Sequence, residues 1–230
     1  MSHRLTLTAA VLALGLSAPI LAAPLMANAA DWSGLPDWSG NWVVTPGARP
    51  APPYNAAWAA KQRAALADLK AGKTKDLDKA CGLPRGNPWM LSVPDVHEWI
   101  LRPEEVWHSV ENGGIASRIF VGQPHLGPND LFPTYTGDSV AKWEGDTLVI
   151  DTTGLRDDTW MGPGALIHSD MTHVIARVRK SAPNVLTADI TIEDPVAFAH
   201  PWKFIQRYHR LPAGGFVHDY ACKVVRDGNG

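Results

Sequence analysis

Four polar side chains in the second half of the chain could carry proton-transfer chemistry. They are His125, His168, Asp138 and Asp170. Because imidazole changes charge near neutral pH, a histidine in a cleft can act as a general acid or base, and a carboxylate beside it can fix its tautomer. The two histidines fall in two long irregular segments, 123–137 and 154–170, which could meet over one end of the molecule. The alternative is that both are surface histidines that cap turns.

A pair of opposite charges offers a place for a polar ligand group. Glu111 and Arg118 flank the predicted hairpin turn at 112–115, so simple register counting places them opposite each other on neighbouring strands. If the pair points inward, a buried charge pair would suit binding of a polar group. If it points outward, it is an ordinary surface salt bridge.

Tryptophan is unusually frequent, with ten in 230 residues. Large aromatic rings line many small-molecule pockets. The candidates to line a pocket are Trp107, Trp143, Trp160 and Tyr135. For any single one of these rings, filling the core is the alternative.

Several other chemistries lack their sequence patterns. The histidines show neither H-x-H nor H-E-x-x-H spacing, so a metal site would have to be assembled across loops, and we expect no cofactor. No phosphate-binding glycine motif is present. Ser139 follows Gly-Asp as in some lipases, but it opens a predicted strand rather than a helix. The formal charge of −2 and the pI of about 6.5 provide no basic surface for nucleic acid.

The N-terminus predicts export. His3 and Arg4 precede the apolar stretch 5–21, and Ala27-Asn28-Ala29 resembles a signal-peptidase site, so residues 1–29 are predicted to be removed. Polar residues and proline interrupt the apolar stretch, which argues against a membrane anchor. We therefore expect a periplasmic or secreted protein. In that compartment Cys81 and Cys222 are expected to form a disulfide, and two buried thiols are the alternative.

The mature chain is expected to be one domain in two sequence regions. Residues 30–80 hold a first short strand, a proline-rich connection and a helix at 56–70, which Asn55 caps and Gly72 ends. Trp58, Ala65 and Leu66 share one face of this helix, so it should cover the domain.

Residues 81–230 are dominated by short β-prone runs separated by turn signals. Including the first strand, the runs are 42–44, 97–102, 105–110, 117–122, 139–143, 147–153, 172–179, 185–193, 203–211 and 216–224. A meander of this size tends to close or to split into two layers. We therefore predict a mainly β fold, an antiparallel up-and-down barrel with one N-terminal cover helix, with a β-sandwich as the alternative.

The strand entry Gly40-Asn41-Trp42 resembles the Gly-x-Trp start of lipocalin-type barrels. In that family a tryptophan closes the barrel floor and a late basic residue stacks on it. The resemblance implies that Arg226 or Lys223 makes this contact.

A longer resemblance is carried by residues 137–152, which read GDSVAKWEGDTLVIDT. This segment is similar to a large group of secreted bacterial proteins with a GDSVxxWEGDTLVxDT signature. The similarity extends to Glu111, Arg118-Ile119, His125, His168-Ser169-Asp170, residues 191–195 and Pro201-Trp202. It implies secretion and the extent of the domain rather than a reaction. The chain departs from the group's pattern at Gly122, Gln123 and Ala176, where the group has aspartate, arginine and glutamate.

Two functions follow from these patterns. The first is a cofactor-free lyase, hydratase or isomerase that acts by general acid-base catalysis on a largely apolar or aromatic compound. The second is a lipocalin-like binding or carrier protein for the same kind of molecule, without catalysis. A hydrogen-bonded His and Asp pair at a pocket would favour the enzyme.

Overall fold

The computed structural model describes residues 34–74, 95–111, 116–162 and 164–213, together with Gly215 and Val217. The predicted signal peptide, Cys81, Cys222 and most of the predicted strand 216–224 lie outside these residues. The elements in chain order are β1 (Gly40–Val44), α1 (Ala56–Lys70), β2 (Val96–Leu101), β3 (Glu105–Val110), β4 (Ala116–Val121), β5 (Asp138–Glu144), β6 (Thr147–Thr153), β7 (His173–Ala182), β8 (Val185–Glu193) and β9 (Trp202–Arg210).

The nine strands form a closed barrel in sequential order. Strand β1 pairs with β2 on one side and with β9 on the other, where Val43 lies opposite His209. The barrel prediction is therefore confirmed over the sandwich. Closure leaves no strand edge open among these nine strands, which is the usual advantage of a barrel over an open sheet.

One strand pair departs from the predicted antiparallel order. Strands β4 and β5 run parallel, with Ile119 opposite Ser139. A parallel pair needs a connection of a dozen or more residues, and the long segment 122–137 supplies it. This segment turns the chain back so that β5 begins beside the second half of β4, and residues 123–127 pass over the outer wall near Phe120.

Side chains alternate between the barrel interior and its outer wall. On β5, Ser139 and Ala141 are buried while Asp138 and Lys142 point outward. The interior is filled largely by apolar and aromatic residues. Four of its largest side chains, Trp38, Trp42, Trp99 and Tyr208, are fully buried. These rings therefore form part of a packed core.

The tryptophan of β1 carries the stacked basic residue that the lipocalin resemblance implied. The guanidinium of Arg210 lies 4.3 Å from the ring centroid of Trp42, and Nη1 of Arg210 donates to the Ser39 carbonyl at 3.1 Å. A Cβ at Gly40 would lie 2.8 Å from the same nitrogen. The late basic residue is thus Arg210 from β9, while Arg226 and Lys223 lie outside the described residues.

Helix α1 matches its predicted bounds and its predicted cap. The Asn55 side chain accepts a hydrogen bond from the Trp58 amide. No helix residue is fully buried, so the cover is shallow. Gln62 fastens the helix to the second long segment by donating to the Gly164 carbonyl and accepting from the Ile167 amide. Within the described residues no helix has the length and apolar character to cross a bilayer.

Candidate functional site

An open groove of about 660 Å³ lies on the outer wall of the barrel, where segment 122–137 passes the start of β3 and the end of β4. Its lining residues are Glu104, Glu105, Phe120, Gln123, Pro124, His125, Leu126, Gly127 and Asp138. Phe120 and Leu126 are exposed to 38% and 53%, although both are large and apolar. The volume lies within the range of small-molecule sites.

A second depression of about 400 Å³ continues this groove along the wall. The two share Phe120, Leu126 and Asp138. The second one adds Arg118 and Tyr135 to the lining. We call the two together the outer groove. It therefore brings together four residues that the sequence predicted for a site: His125, Asp138, Arg118 and Tyr135.

His125 lies between two carboxylates. Its Nδ1 is 2.7 Å from Oδ2 of Asp138, and its Nε2 is 3.0 Å from Oδ1 of Asp151. The Leu126 amide also donates to Asp138, at 3.1 Å. An imidazole can donate to two carboxylates only when both ring nitrogens carry hydrogen. Of Asp138 and Asp170, the two aspartates considered as partners of a histidine, Asp138 is the one that bonds His125, and the second ring nitrogen is engaged as well.

The network continues across the outer wall from β6 to β8. Oδ1 of Asp151 also accepts from Nε2 of His173 at 2.7 Å, and Nδ1 of His173 lies 3.5 Å from Glu193. The hydrogen bond to Asp151 raises the pKa of His173. Partial burial opposes ionisation of Asp151, but bonds and charges from His173 and His125 hold its pKa below the usual value. Sequence reasoning missed Asp151 and His173, although both lie on outward positions of predicted strands.

The predicted pairing of Arg118 with Glu111 is wrong. Arg118 lies opposite Trp107, and its Nη2 is 2.7 Å from Oε2 of Glu105. Register counting failed because Glu111 lies beyond the end of β3, four residues from the position opposite Arg118. Arg118 points outward with its side chain half exposed, as in the surface alternative. Hydrogen bonds from Trp107 and Arg118 lower the pKa of Glu105.

The structure does not bring His168 to His125. His168 is buried, with Nε2 3.1 Å from the Thr159 hydroxyl and Nδ1 3.0 Å from the Thr172 hydroxyl. Burial lowers its pKa. Asp170 is exposed and lies in neither depression of the outer groove. These two predicted catalytic residues are therefore separate from the groove.

The four rings predicted to bind a ligand do not gather at one place. Trp107 is on the outer wall, where the Arg118 guanidinium lies 5.0 Å from its ring centroid. Trp143 packs against the barrel core, and Trp160 is 9% exposed within segment 154–170. Tyr135 lies under Arg156, whose guanidinium is 4.8 Å from its ring centroid. Among these four rings, only Tyr135 lines the outer groove.

A buried histidine pair inside the barrel also escaped sequence reasoning. Nδ1 of His97 lies 3.0 Å from Nε2 of His108, and both rings are buried. Desolvation lowers the pKa of His97 to about 3 and that of His108 well below its usual value. The alternation of β2 and β3 places both side chains inward, and this was the signal available in the sequence.

The described part of the chain contains no metal-binding group, that is, no three histidine, cysteine, aspartate or glutamate side chains placed so that they could hold an ion. The acidic and imidazole groups of the outer wall instead form a line in which they bond to each other.

No protein-family model matches the chain, and no curated protein matches it significantly. Among solved structures, the wild-type fluorescent protein UnaG is similar, with a TM-score of 0.37 and 12% identity over 76% of this chain and 97% of that one. The REP1-NXSQ fatty acid transporter is similar with a TM-score of 0.36 and 10% identity, over 76% and 96% of the two chains. Both similarities are too distant to support an inference about function.

Proposed function

We propose that this protein binds a small, largely apolar or aromatic molecule in the outer groove, outside the cytoplasm, and holds it without chemical change. The supporting observation is the pair of contacts made by the groove histidine, His125. Both ring nitrogens of His125 are engaged by carboxylates, so neither is presented unbonded to a ligand. His168, the other candidate base, is buried away from the groove.

The shape and lining of the groove support a small organic ligand. The main depression of about 660 Å³ offers Phe120, Pro124 and Leu126 as apolar contacts. Exposed large apolar side chains that gather in one concave place commonly mark a binding site. The aromatic rings of the barrel interior are fully buried, whereas the outer wall offers exposed apolar side chains, which favours the outer wall over those rings as the place of binding.

Catalysis is the second candidate, and one observation favours it. Nδ1 of His125 and Asp138 form a short hydrogen bond at the groove, as an acid-base pair would. For this pair to act, the Nε2 contact with Asp151 would have to open in the presence of substrate. A lyase or isomerase step therefore needs a rearrangement that simple binding does not.

The neutral apolar dye Nile red tests the proposed binding site. We expect wild-type protein to bind one dye molecule, with emission rising as the dye leaves water. Leu126→Ser should weaken binding by at least about tenfold, since it removes roughly 1.5–3 kcal/mol of apolar contact. Ile205→Ser is the matched control, because Ile205 is 50% exposed on β9 and lines neither part of the groove. Equal weakening by both variants, or no dye binding at all, would contradict the proposal.

A further inference from the structure

The outer groove carries an excess of negative charge beside its apolar side chains. Its lining holds three carboxylates, from Glu104, Glu105 and Asp138, and one guanidinium, from Arg118. The larger depression has all three carboxylates, and neither lysine nor arginine is among the described residues that line it. With His125 counted as neutral, the lining therefore has a formal charge of −2.

The one guanidinium of the lining is already matched by one of these carboxylates. Nε and Nη2 of Arg118 both donate to Oε2 of Glu105, at 3.3 and 2.7 Å. The same guanidinium lies 5.1 Å from the ring centroid of Phe120, which helps to hold it in this position. The pair therefore contributes no net charge, and the excess comes from Glu104 and Asp138.

Charged groups beside the lining do not offset this excess. They are two cations and three carboxylates: Arg102, Arg156, Asp130, Asp157 and Asp158. Arg156 lies over Tyr135 and donates to Asp158. Asp130 lies near Gly127, with Oδ2 3.8 Å from the position that a Cβ would take there. The neighbourhood therefore adds no net positive charge to the groove.

The excess also survives protonation of His125. This ring lies between two carboxylates, 2.7 Å from Asp138 and 3.0 Å from Asp151. Asp151 in turn contacts His173, which lies 3.5 Å from Glu193. These five side chains hold three carboxylates and at most two positive charges, so together they remain negative whether their histidines are neutral or charged.

Apolar contacts lie beside this charge. Phe120 and Leu126 line both depressions, and Phe132, which is 74% exposed, lines the smaller one. A molecule with an apolar body and one positive charge could cover these side chains while its charge stays at the carboxylates and in contact with water. An anion of the same shape would be repelled, because the guanidinium that could receive it is already paired with Glu105.

We infer that the outer groove selects a positively charged ligand, an aromatic or aliphatic ammonium compound, over a neutral or anionic molecule of the same shape. Glu104 and Asp138 are the residues that set this preference. Fixed charges that line a cleft raise the local concentration of ions of the opposite sign. The inference names the ligand class of the proposed binding site and rests on that proposed function.

Three naphthalene compounds of nearly equal size separate charge from shape. They are 2-naphthylmethylammonium, which is positively charged at pH 7, the neutral 2-naphthylmethanol and the negatively charged 2-naphthoate. NMR titration of nitrogen-15-labelled protein measures each affinity, and shifts of the Leu126 and Gly127 amides show whether the groove is occupied. In about 150 mM salt we expect the ammonium compound to bind at least about fivefold more tightly than the alcohol, and the alcohol more tightly than naphthoate. The advantage should shrink in about 500 mM salt, because salt screens the carboxylates.

Two substitutions should change the ratio of ammonium affinity to alcohol affinity in opposite directions. Glu104→Gln keeps the size of the side chain and removes one negative charge, so the ratio should fall at least about twofold. Arg118→Gln leaves the charge of Glu105 unmatched, so the ratio should rise. Glu98→Gln is the matched control, because Glu98 lies opposite Ser109, roughly 13 Å along β3 from Glu105 and beyond the screening length. Its ratio should equal that of the wild type.

The outcomes separate this inference from the proposed function. A preference for the ammonium compound at the groove amides that Glu104→Gln reduces and Glu98→Gln does not supports both. Equal affinity for ammonium and alcohol, tightest binding of naphthoate, or equal effects of the two glutamate variants overturns the inference, and groove shifts with the alcohol then leave the binding site standing. No groove shifts with any of the three compounds overturns the inference, and failure of Nile red to bind as well overturns the proposed function.

Discussion

At the scale of single residues, the buried carboxylate of Asp194 organises more of the loop structure than any predicted site residue. Its two oxygens accept five hydrogen bonds, from the Ser169 amide and hydroxyl, the Thr172 hydroxyl and the amides of Val196 and Ala197. Burial favours the neutral acid, but these bonds keep its pKa below the usual value. The His168-Ser169-Asp170 and 191–195 motifs therefore meet in one hydrogen-bonded cluster around Asp194, which we call the Asp194 cluster.

The Asp194 cluster predicts a large loss of stability for a substitution of Asp194 that changes little in size. Asp194→Asn replaces one accepting oxygen with a donating NH2 group that would face donors, so we expect a loss of about 3–5 kcal/mol in the free energy of unfolding. Asp170→Asn, an exposed change in the same motif, should cost less than about 0.5 kcal/mol. Urea unfolding measures both, and equal losses would rule out the special role of Asp194.

The contact between Arg210 and Trp42 makes a second prediction at this scale. Arg210→Met removes the charge over the ring and the bond to the Ser39 carbonyl, so stability should fall by about 1–2 kcal/mol. Arg207→Met on the same strand is the control, because Arg207 is exposed. Thermal or urea unfolding that showed no difference between the two variants would contradict a stabilising stack.

At the scale of elements, the junction between segment 122–137 and β5 depends on one glycine. Gly137 has φ of +73°, and a Cβ there would lie 2.5 Å from the Thr153 carbonyl oxygen and 2.8 Å from a Thr152 methyl carbon. The segment brings His125 to Asp138 just past this residue, so the junction also sets the groove. An L side chain at this position would meet both backbone strain and a collision.

Two alanine substitutions separate strain from collision. Gly145 also has a positive φ, of +63°, but a Cβ there meets nothing within 4 Å. Gly145→Ala should cost about 1 kcal/mol from backbone strain alone. Gly137→Ala should cost at least about 2 kcal/mol more. Comparable unfolding midpoints for the two variants would show that the junction tolerates a side chain, and would contradict the predicted collision at Gly137.

The elements were predicted more successfully than the site. Helix α1 and the strands of the barrel follow local signals, such as the Asn55 cap and the turn at Gly145, that need no knowledge of distant residues. The parallel pairing of β4 and β5 depends on where a long segment returns, and no local pattern encodes that path. The site shows the same limit. His125 bonds Asp138, one of the two aspartates considered for it, but Arg118 bonds Glu105 rather than Glu111, because register is a property of two strands together.

At the scale of the whole molecule, the barrel interior predicts sensitivity to acid. His97 and His108 are buried as neutral rings, and burial lowers the pKa of His97 to about 3 from about 6.5. Below pH 6.5 these two histidines bind protons in the unfolded chain but stay neutral in the folded barrel. The free energy of unfolding is therefore undiminished by them above pH 6.5 and falls as the pH falls toward 3.

Unfolding in urea at pH 7.5 and pH 5.0 measures this loss. Wild-type protein should lose about 2 kcal/mol through His97 alone, with a further loss from His108. The double variant His97→Leu and His108→Leu removes both partners of the pair and should lose less stability over the same interval. His200→Leu, an exposed change, should follow the wild type. Identical pH dependence in the double variant would exclude the buried pair as the source.

The central claim is binding in the outer groove without turnover, and native mass spectrometry of protein purified from its natural compartment tests it most directly. We predict an organic molecule of one mass on the wild type and on Ile205→Ser, and its loss from Leu126→Ser, whose side chain lies in the groove. A molecule that accumulates only on Asp138→Asn, and is absent from the wild type, would mean that the wild type consumes it and would contradict the claim.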